Sequence, residues 1–469
     1  MLFFKKMIQI LISFILFCGL SFTSNADNHL AMGMVNETQI KIEKVVNSYT
    51  SNNAFEGVIL VAKSGKVVFE KAYGFADRVG NQKISVSHAF GLASLSKPIT
   101  ATLMLKLEEQ GKLKLTDTLA DHFPEFKNNF GRKVTLHHLL SHTSGLPDHF
   151  AINGWFDVDF HKQTSEQAFI NMIAKLSPKF APGADYLYSN LGYFLLGKVI
   201  EKATDKSYSE SLKDNILLPL NMNKSGVASG FELSSGIVKG YRWGKKNGYL
   251  EQVAKNMNLF GAGSAIYASA KDLHRFDLAL YGEQLLNEQS KIRLFNPENS
   301  YSWRVGKVPV SKKQNVNVHM YDGQFDGYSS IMTRFIDDKH SIIILSNVGI
   351  SYFLKQQLTF DIANVLYNQP LKNRENDVPL ILIKSLLSGT FEQTMTALEA
   401  KKGEYNFNEA SLSALAYQIL WSGLGSESLR LFSFINNIFT DSLNAKTNLE
   451  RACDHQVTIG LLNKQGFCK

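Results

Sequence analysis

Runs rich in Val and Ile stand at both ends of one long stretch of the chain, and between them apolar residues recur with a helical period. Gly57-Val58-Ile59-Leu60-Val61-Ala62, the turn Lys63-Ser64-Gly65-Lys66 and Val67-Val68-Phe69 predict a hairpin within Phe55 to Tyr73, because β-branched runs split by a Ser-Gly turn are a strand signal. Leu95, Ile99, Leu103 and Leu107 recur every four residues and predict a helix of about 17 residues with Gly111 at its C-terminal end. A second helix is expected over Leu191 to Ala203, with Leu195, Leu196, Val199 and Ile200 facing inward. Strand patterns return at Val316 to Tyr321, Tyr328 to Phe335 and His340 to Leu345, the first two joined by a turn at Asp322-Gly323-Gln324-Phe325-Asp326-Gly327. Strands at both ends with helices between them predict an α/β (α+β) domain, one antiparallel sheet flanked by a helical region.

The rest of the chain divides around that domain. Lys5 and Lys6 precede the apolar run Met7 to Phe22, and Ser24-Asn25-Ala26 follows with small residues at its first and third positions. This is the layout of a secretory leader over residues 1–26, and it predicts a periplasmic or secreted protein. An uncleaved leader would instead anchor the chain to a membrane, since Met7 to Ala26 is charge-free and about long enough to span one. The domain then covers 35–370, the charged stretch 371–380 reads as a linker, and 381–469 reads as a small all-α module. Leu412, Leu415, Ala416 and Ile419 form one stripe there, and Leu429, Phe432 and Ile435 the next.

Composition narrows the field. In 469 residues, 44% are hydrophobic and 20% charged, which excludes a mainly disordered chain. The net charge of +8 is dispersed in short pairs such as Lys312-Lys313, so no nucleic-acid partner is expected. Of three cysteines, Cys18 falls in the leader. Cys453 and Cys468 remain, either bridged in an oxidising compartment or as two free thiols. His138 and His142 have zinc-like spacing, yet no Glu follows His138, so no metal is assigned. There is no Walker loop and no G-x-S-x-G elbow, and no cofactor is expected.

The chemistry points to Ser94-Leu95-Ser96-Lys97 at the start of the Leu95-stripe helix. Residues at i and i+3 share a helical face, so the lysine amine reaches the serine hydroxyl. Pro98 fits the first turn, which places Ser94 at the helix N-terminus, where free N–H groups favour negative charge. A nucleophilic serine needs a base and an oxyanion site. Lys97 serves as base only if burial or a nearby cation lowers its pKa. Alone, the motif fits a capping serine with a solvated lysine, since S-x-x-K occurs often by chance.

Two further segments follow in order, Tyr188-Ser189-Asn190 ahead of the second helix and the Asp322 to Gly327 turn. Together the three resemble the serine β-lactamase and penicillin-binding-protein family, especially its class C and family VIII esterase branch. His137 to Leu146 resembles its LLxHTSGL segment, Leu218-Pro219-Leu220-Asn221-Met222 its PLGM, and Gly261-Ala262-Gly263 with Asp272-Leu273 its GG…DL. The resemblance spans about residues 40–365 and implies the β-lactamase/transpeptidase fold. It implies Ser94 as acylated nucleophile, Lys97 as proton acceptor, Tyr188 as a phenol sharing proton transfer, and Asn190 as a positioning group. The backbone N–H groups of Ser94 and Gln324 would form the oxyanion hole. Tyr321-Asp322-Gly323 would line the substrate, but the family has Lys-Thr-Gly or His-x-Gly there. An inward Asp322 would repel a substrate carboxylate. That favours a neutral ester, amide or amine-bearing small molecule or peptide over a β-lactam or a D-Ala-D-Ala terminus. A non-catalytic binder on the same fold is the other class of reading. Small residues near Ala416 and Ser428, with a second helical start at Asn444-Ala445 that gives a period near 34, also resemble one tetratricopeptide repeat and the first helix of another. That would let the module dock on the hydrolase or recruit a protein partner.

Overall fold

The computed structural model describes residues 37–231, 236–244, 248–252, 255–299, 301–311, 314–325 and 327–458. The leader at 1–26 and Cys468 lie outside the described residues. Six strands form the main sheet: β1 (Gly57–Lys63), β2 (Lys66–Tyr73), β3 (Arg304–Ser311), β4 (Gln314–Phe325), β5 (Tyr328–Phe335) and β6 (His340–Ser346). Their spatial order is β3-β4-β5-β6-β1-β2, antiparallel throughout. The hairpin turn takes left-handed φ at Ser64 (49°) and Gly65 (75°).

Pairing of Val58 with Leu345 and Ile59 with Ile344 sends alternate residues to opposite faces. Val58, Leu60, Ile343 and Leu345 join one apolar cluster, and Ile59, Val61, Ile342 and Ile344 the other. β1, β5 and β6 are therefore buried on both faces, which is why they read as continuous apolar runs. Each such side chain contributes about 1.5–3 kcal/mol of burial. Helices α1 (Ser96–Glu109) and α2 (Asn190–Thr204) bury their stripes in the first cluster. The other face receives the helix at 37–50, through Ile42, Val46 and Tyr49, and α3 (Tyr352–Leu366), through Leu354, Leu358 and Ile362.

The C-terminal segment forms α4 (Val378–Ser388), α5 (Phe391–Ala400), α6 (Glu409–Trp421), α7 (Gly425–Ile438) and α8 (Leu443–Thr458). Leu415 and Phe432 belong to the same apolar cluster as Ile59 and Ile344. Ser428 Oγ donates to the Ala416 carbonyl at 2.8 Å, drawing α6 and α7 together. Cys453 on α8 is disulfide-bonded. The connecting stretch is tied down: Arg374 donates twice to Asp361 at 2.8 Å, and Tyr49 donates to the same carboxylate at 2.7 Å. Asp377 caps α4, so helix begins inside the stretch read as a linker.

One further sequence expectation needs correction and one is sharpened. Within the strand pattern that returns after residue 301, β3 was not delimited, because as an exposed edge strand carrying Lys307 and Pro309 it lacks an apolar pattern. The segment read as a turn from Asp322 is strand up to Phe325, with Asp322, Gly323, Gln324 and Phe325 paired to Ile331, Ser330, Ser329 and Tyr328. The next strand begins at Tyr328.

Candidate active site

Ser94 sits in a single 3-10 turn, Ala93–Leu95, that leads directly into α1. Ala93 holds a left-handed φ of 51°, which costs a non-glycine residue roughly 1–3 kcal/mol. Surrounding hydrogen bonds enforce it. Leu92 N–H donates to the Ile266 carbonyl at 2.8 Å, Ser330 Oγ donates to the Leu92 carbonyl at 2.7 Å, and Ile266 N–H donates to Ser96 Oγ at 3.2 Å. Pro98 is the third residue of α1, where a missing N–H breaks no helical bond.

Lys97 is completely buried and its Nζ meets three oxygens: Asn190 Oδ1 at 2.7 Å, the Gly263 carbonyl at 2.9 Å and Ser94 Oγ at 3.2 Å. Burial pushes its pKa down to about 7, against a smaller opposing pull from the Asp148 charge. Two of the three partners are pure acceptors. A neutral amine has two N–H bonds, so these acceptors use both and the lone pair is left aimed at the serine hydroxyl.

Tyr188 Oη lies 2.7 Å from Ser94 Oγ and 3.2 Å from Asn190 Oδ1. Burial holds the phenol well above its ordinary pKa, so it is neutral at physiological pH. Asn190, the first residue of α2, is clamped by Asp148, which accepts from its backbone N–H at 2.8 Å and from Nδ2 at 3.0 Å. That grip points Oδ1 at Lys97 and Tyr188. Asp148 was not anticipated: it follows the His137–Leu146 segment with no periodicity to mark it. Burial works against its charged form, but His149 and the Asn190 and His149 N–H groups lower its pKa overall. The Gly263 carbonyl was also missed, since a backbone acceptor leaves no side-chain signature. His142 packs its ring 4.7 Å from that of Tyr188 and accepts from Ser189 N–H at 3.2 Å. Burial, then the Lys97 charge, brings its pKa to about 3, so it is a neutral wall. His138 is engaged elsewhere, capping a helical turn with Thr135.

On β4, alternation separates the residues expected to line the substrate. Tyr321 joins the apolar cluster on the Ser94 side, whereas Met320 belongs to the opposite cluster. Asp322 shares Met320's side of the strand and pairs with Lys355 Nζ (3.1 Å) on α3 and with Arg304 (2.6 Å). Burial opposes its ionisation, but Lys355 and then Arg304 lower its pKa overall. It is a neutralised structural anion, and the expectation that it repels a substrate carboxylate is corrected. Gly323 is required by close approach: a Cβ there would stand 2.1 Å from the Leu92 carbonyl and 2.8 Å from Leu95 N. The strand backbone therefore abuts the Ser94 turn. Gln324 follows on that strand and its side chain donates to Gln418 on α6.

Residues 42–365 match the Beta-lactamase family model. Penicillin-binding protein 4* of Bacillus subtilis is 31% identical over 350 residues, covering 70% of this chain and 76% of that protein. The fold is similar to that of a class C β-lactamase (TM-score 0.58, 20% identity, 72% of this chain and 97% of that one). It is similar also to D-amino acid amidase from Ochrobactrum anthropi (TM-score 0.59, 20% identity, 70% and 97%). The match ends at residue 365, before the C-terminal helices begin. With the antiparallel sheet, its helical cover and the Ser94, Lys97, Tyr188 and Asn190 cluster, the chain belongs to the β-lactamase family of serine hydrolases.

Proposed function

We propose that the protein hydrolyses an ester or amide through an acyl-enzyme on Ser94, in the cell envelope or outside the cell. The supporting observation is the coordination of Lys97. A buried amine that spends both N–H bonds on Asn190 and Gly263 presents its lone pair to Ser94 Oγ. In this reading Lys97 takes the serine proton as Oγ attacks the carbonyl carbon. Tyr188, between Ser94 and Asn190, relays the proton that Lys97 took on to the leaving group; on release the same pair takes a proton from the attacking water and returns one to Ser94 Oγ as the acyl group departs. The N–H groups of Ser94 and Gln324 receive the developing oxyanion, each donor contributing roughly 3–4 kcal/mol to the transition state. Asp148 positions Asn190.

Substrate class follows from the third motif. Tyr321 supplies a buried neutral phenol where relatives carry a cation, and Asp322 is paired away from the cleft. Arg304, whose guanidinium lies 5.2 Å from the centre of the Tyr321 ring, is neutralised by Asp322, so the motif offers a carboxylate no unpaired charge and ester and amide substrates without one are favoured over β-lactams and D-peptide termini. Residues 1–26, with Lys5, Lys6 and the Ser24-Asn25-Ala26 site, support export. Covalent labelling by a fluorophosphonate and turnover of p-nitrophenyl acetate test the assignment. Both should vanish in Ser94→Ala, and turnover that survives would refute it.

A further inference from the structure

A cavity of about 610 Å³ opens between the catalytic strand, which lies in the segment that matches the family, and the C-terminal helices, which lie beyond it. Gln324 lines one wall together with Tyr352 and Phe353 at the start of α3. The opposite walls are two helical stripes. Glu409, Ser413, Tyr417 and Trp421 follow one another every four residues along α6, and Asn444 and Asn448 are four apart on α8. Four-residue spacing keeps each set on one helix face, so together they line a straight groove.

Its lining combines polar groups that have no partner among the described residues with an exposed aromatic face. Ser413 is 7% exposed, lines the cavity, and its Oγ has no hydrogen-bond partner. A buried hydroxyl left unpaired costs roughly 1–3 kcal/mol, which a ligand atom would recover. Tyr417 donates to Asn448 Oδ1 at 3.0 Å, which leaves the Asn448 Nδ2 donors for another acceptor. The rings of Tyr417 and Trp421 stack at 6.0 Å and 29°, with Trp421 67% exposed as an open apolar platform. Among the described residues lining the cavity, Glu409 carries the only charge.

We propose that this groove binds an extended peptide portion of the substrate, with a basic side chain or amino terminus at Glu409. Side-chain amides and an unpaired hydroxyl match peptide N–H and C=O groups, and the single carboxylate selects a cation. The Gln324 side chain also donates to Gln418, which ties the catalytic strand to α6 beside the groove. From Trp421 to Glu409 the helix axis runs about 18 Å at 1.5 Å per residue. That is about five residues of extended chain at roughly 3.3 Å each. The C-terminal module thus acts as a specificity wall of the hydrolase. The proposal rests on the Ser94 reading only for its link to the reacting bond.

The test uses the full chain and fluorescein-labelled Lys-Ala-Ala-Ala-Ala, followed by anisotropy. Saturable binding is expected. It should weaken tenfold or more when Lys is replaced by Glu in the peptide, and likewise in Glu409→Gln and in Trp421→Ala, both checked for unchanged thermal unfolding. The saturating peptide should also slow fluorophosphonate labelling of Ser94 at least threefold in the wild type, but not in Trp421→Ala. No binding, binding insensitive to these variants, or preference for a neutral oligosaccharide would overturn the proposal, as would unaltered labelling of a reactive Ser94. Failure of Ser94 to label at all would count against the hydrolase reading instead, while anisotropy still decides whether the groove binds peptide.

Discussion

Replacing Lys355 by methionine removes the charge that holds the catalytic strand from behind while keeping much of the side-chain volume. Lys355 has no exposed surface, and its Nζ donates to Asp322 at 3.1 Å, to the Gly323 carbonyl at 2.9 Å and to the Ser330 carbonyl at 3.3 Å. Breaking a buried pair by removing one partner costs about 3–5 kcal/mol. Asp322 keeps Arg304, whose side chain is half exposed, so the lower end, about 3 kcal/mol, is expected at pH 7. The pH dependence has a definite sign. Asp322 has a depressed pKa in the folded protein, so its ion pair stabilises above the unfolded carboxylate value near pH 4 and is lost as pH falls through the folded one. The gap between wild type and variant should therefore narrow at acid pH. Urea unfolding followed by circular dichroism measures both, and a double-mutant cycle with Asp322→Asn isolates the pair. Additive effects of the two substitutions, or a cost that does not change with pH, would refute the view that Lys355 neutralises Asp322. Esterase activity of the folded variant should also fall, because Gly323, which abuts the Ser94 turn, loses its anchor.

The remaining expectations concern the cluster itself. The pH profile of kcat/KM should rise with unit slope to about pH 7 and level above it, because only the neutral form of Lys97 accepts a proton; a flat profile from pH 5 to 9 would exclude it as base. Asp148→Asn should move that limb to lower pH, since the Asp148 charge raises the Lys97 pKa, and an upward move would contradict this coupling. Gly323→Ala should cost about 100-fold or more in kcat/KM with KM little changed, because the added methyl forces the strand off the Leu92 carbonyl. An unimpaired Gly323→Ala would mean the strand does not complete the site.

How much of this was legible in the sequence follows from the range of each interaction. The Leu95 stripe, the β1–β2 hairpin and the strands β5 and β6 are local apolar patterns, and they appear close to where they were expected. Ser94 and Lys97 are one helical turn apart, so their meeting is local too. That Tyr188 and Asn190 join them came from resemblance, because nothing along the chain brings residue 188 to residue 94. The face of Asp322 depended on where strand ended and turn began, and glycines at 323 and 327 imitate a turn while one serves close packing. Lys355 and Gln418 lie on helices whose apolar stripes conceal their polar roles. Asp148 occupies a loop, where no period exists to read.

The central claim is that Ser94 becomes acylated with Lys97 as its base. Intact-mass spectrometry of the full chain, quenched during turnover of a panel of esters, peptide amides and β-lactams, tests it most directly. An adduct of the acyl mass mapping to Ser94 with ester or amide substrates is predicted, absent in Ser94→Ala and formed far more slowly in Lys97→Met. Turnover without any adduct on Ser94, or an adduct forming at the same rate without the Lys97 amine, would contradict the account.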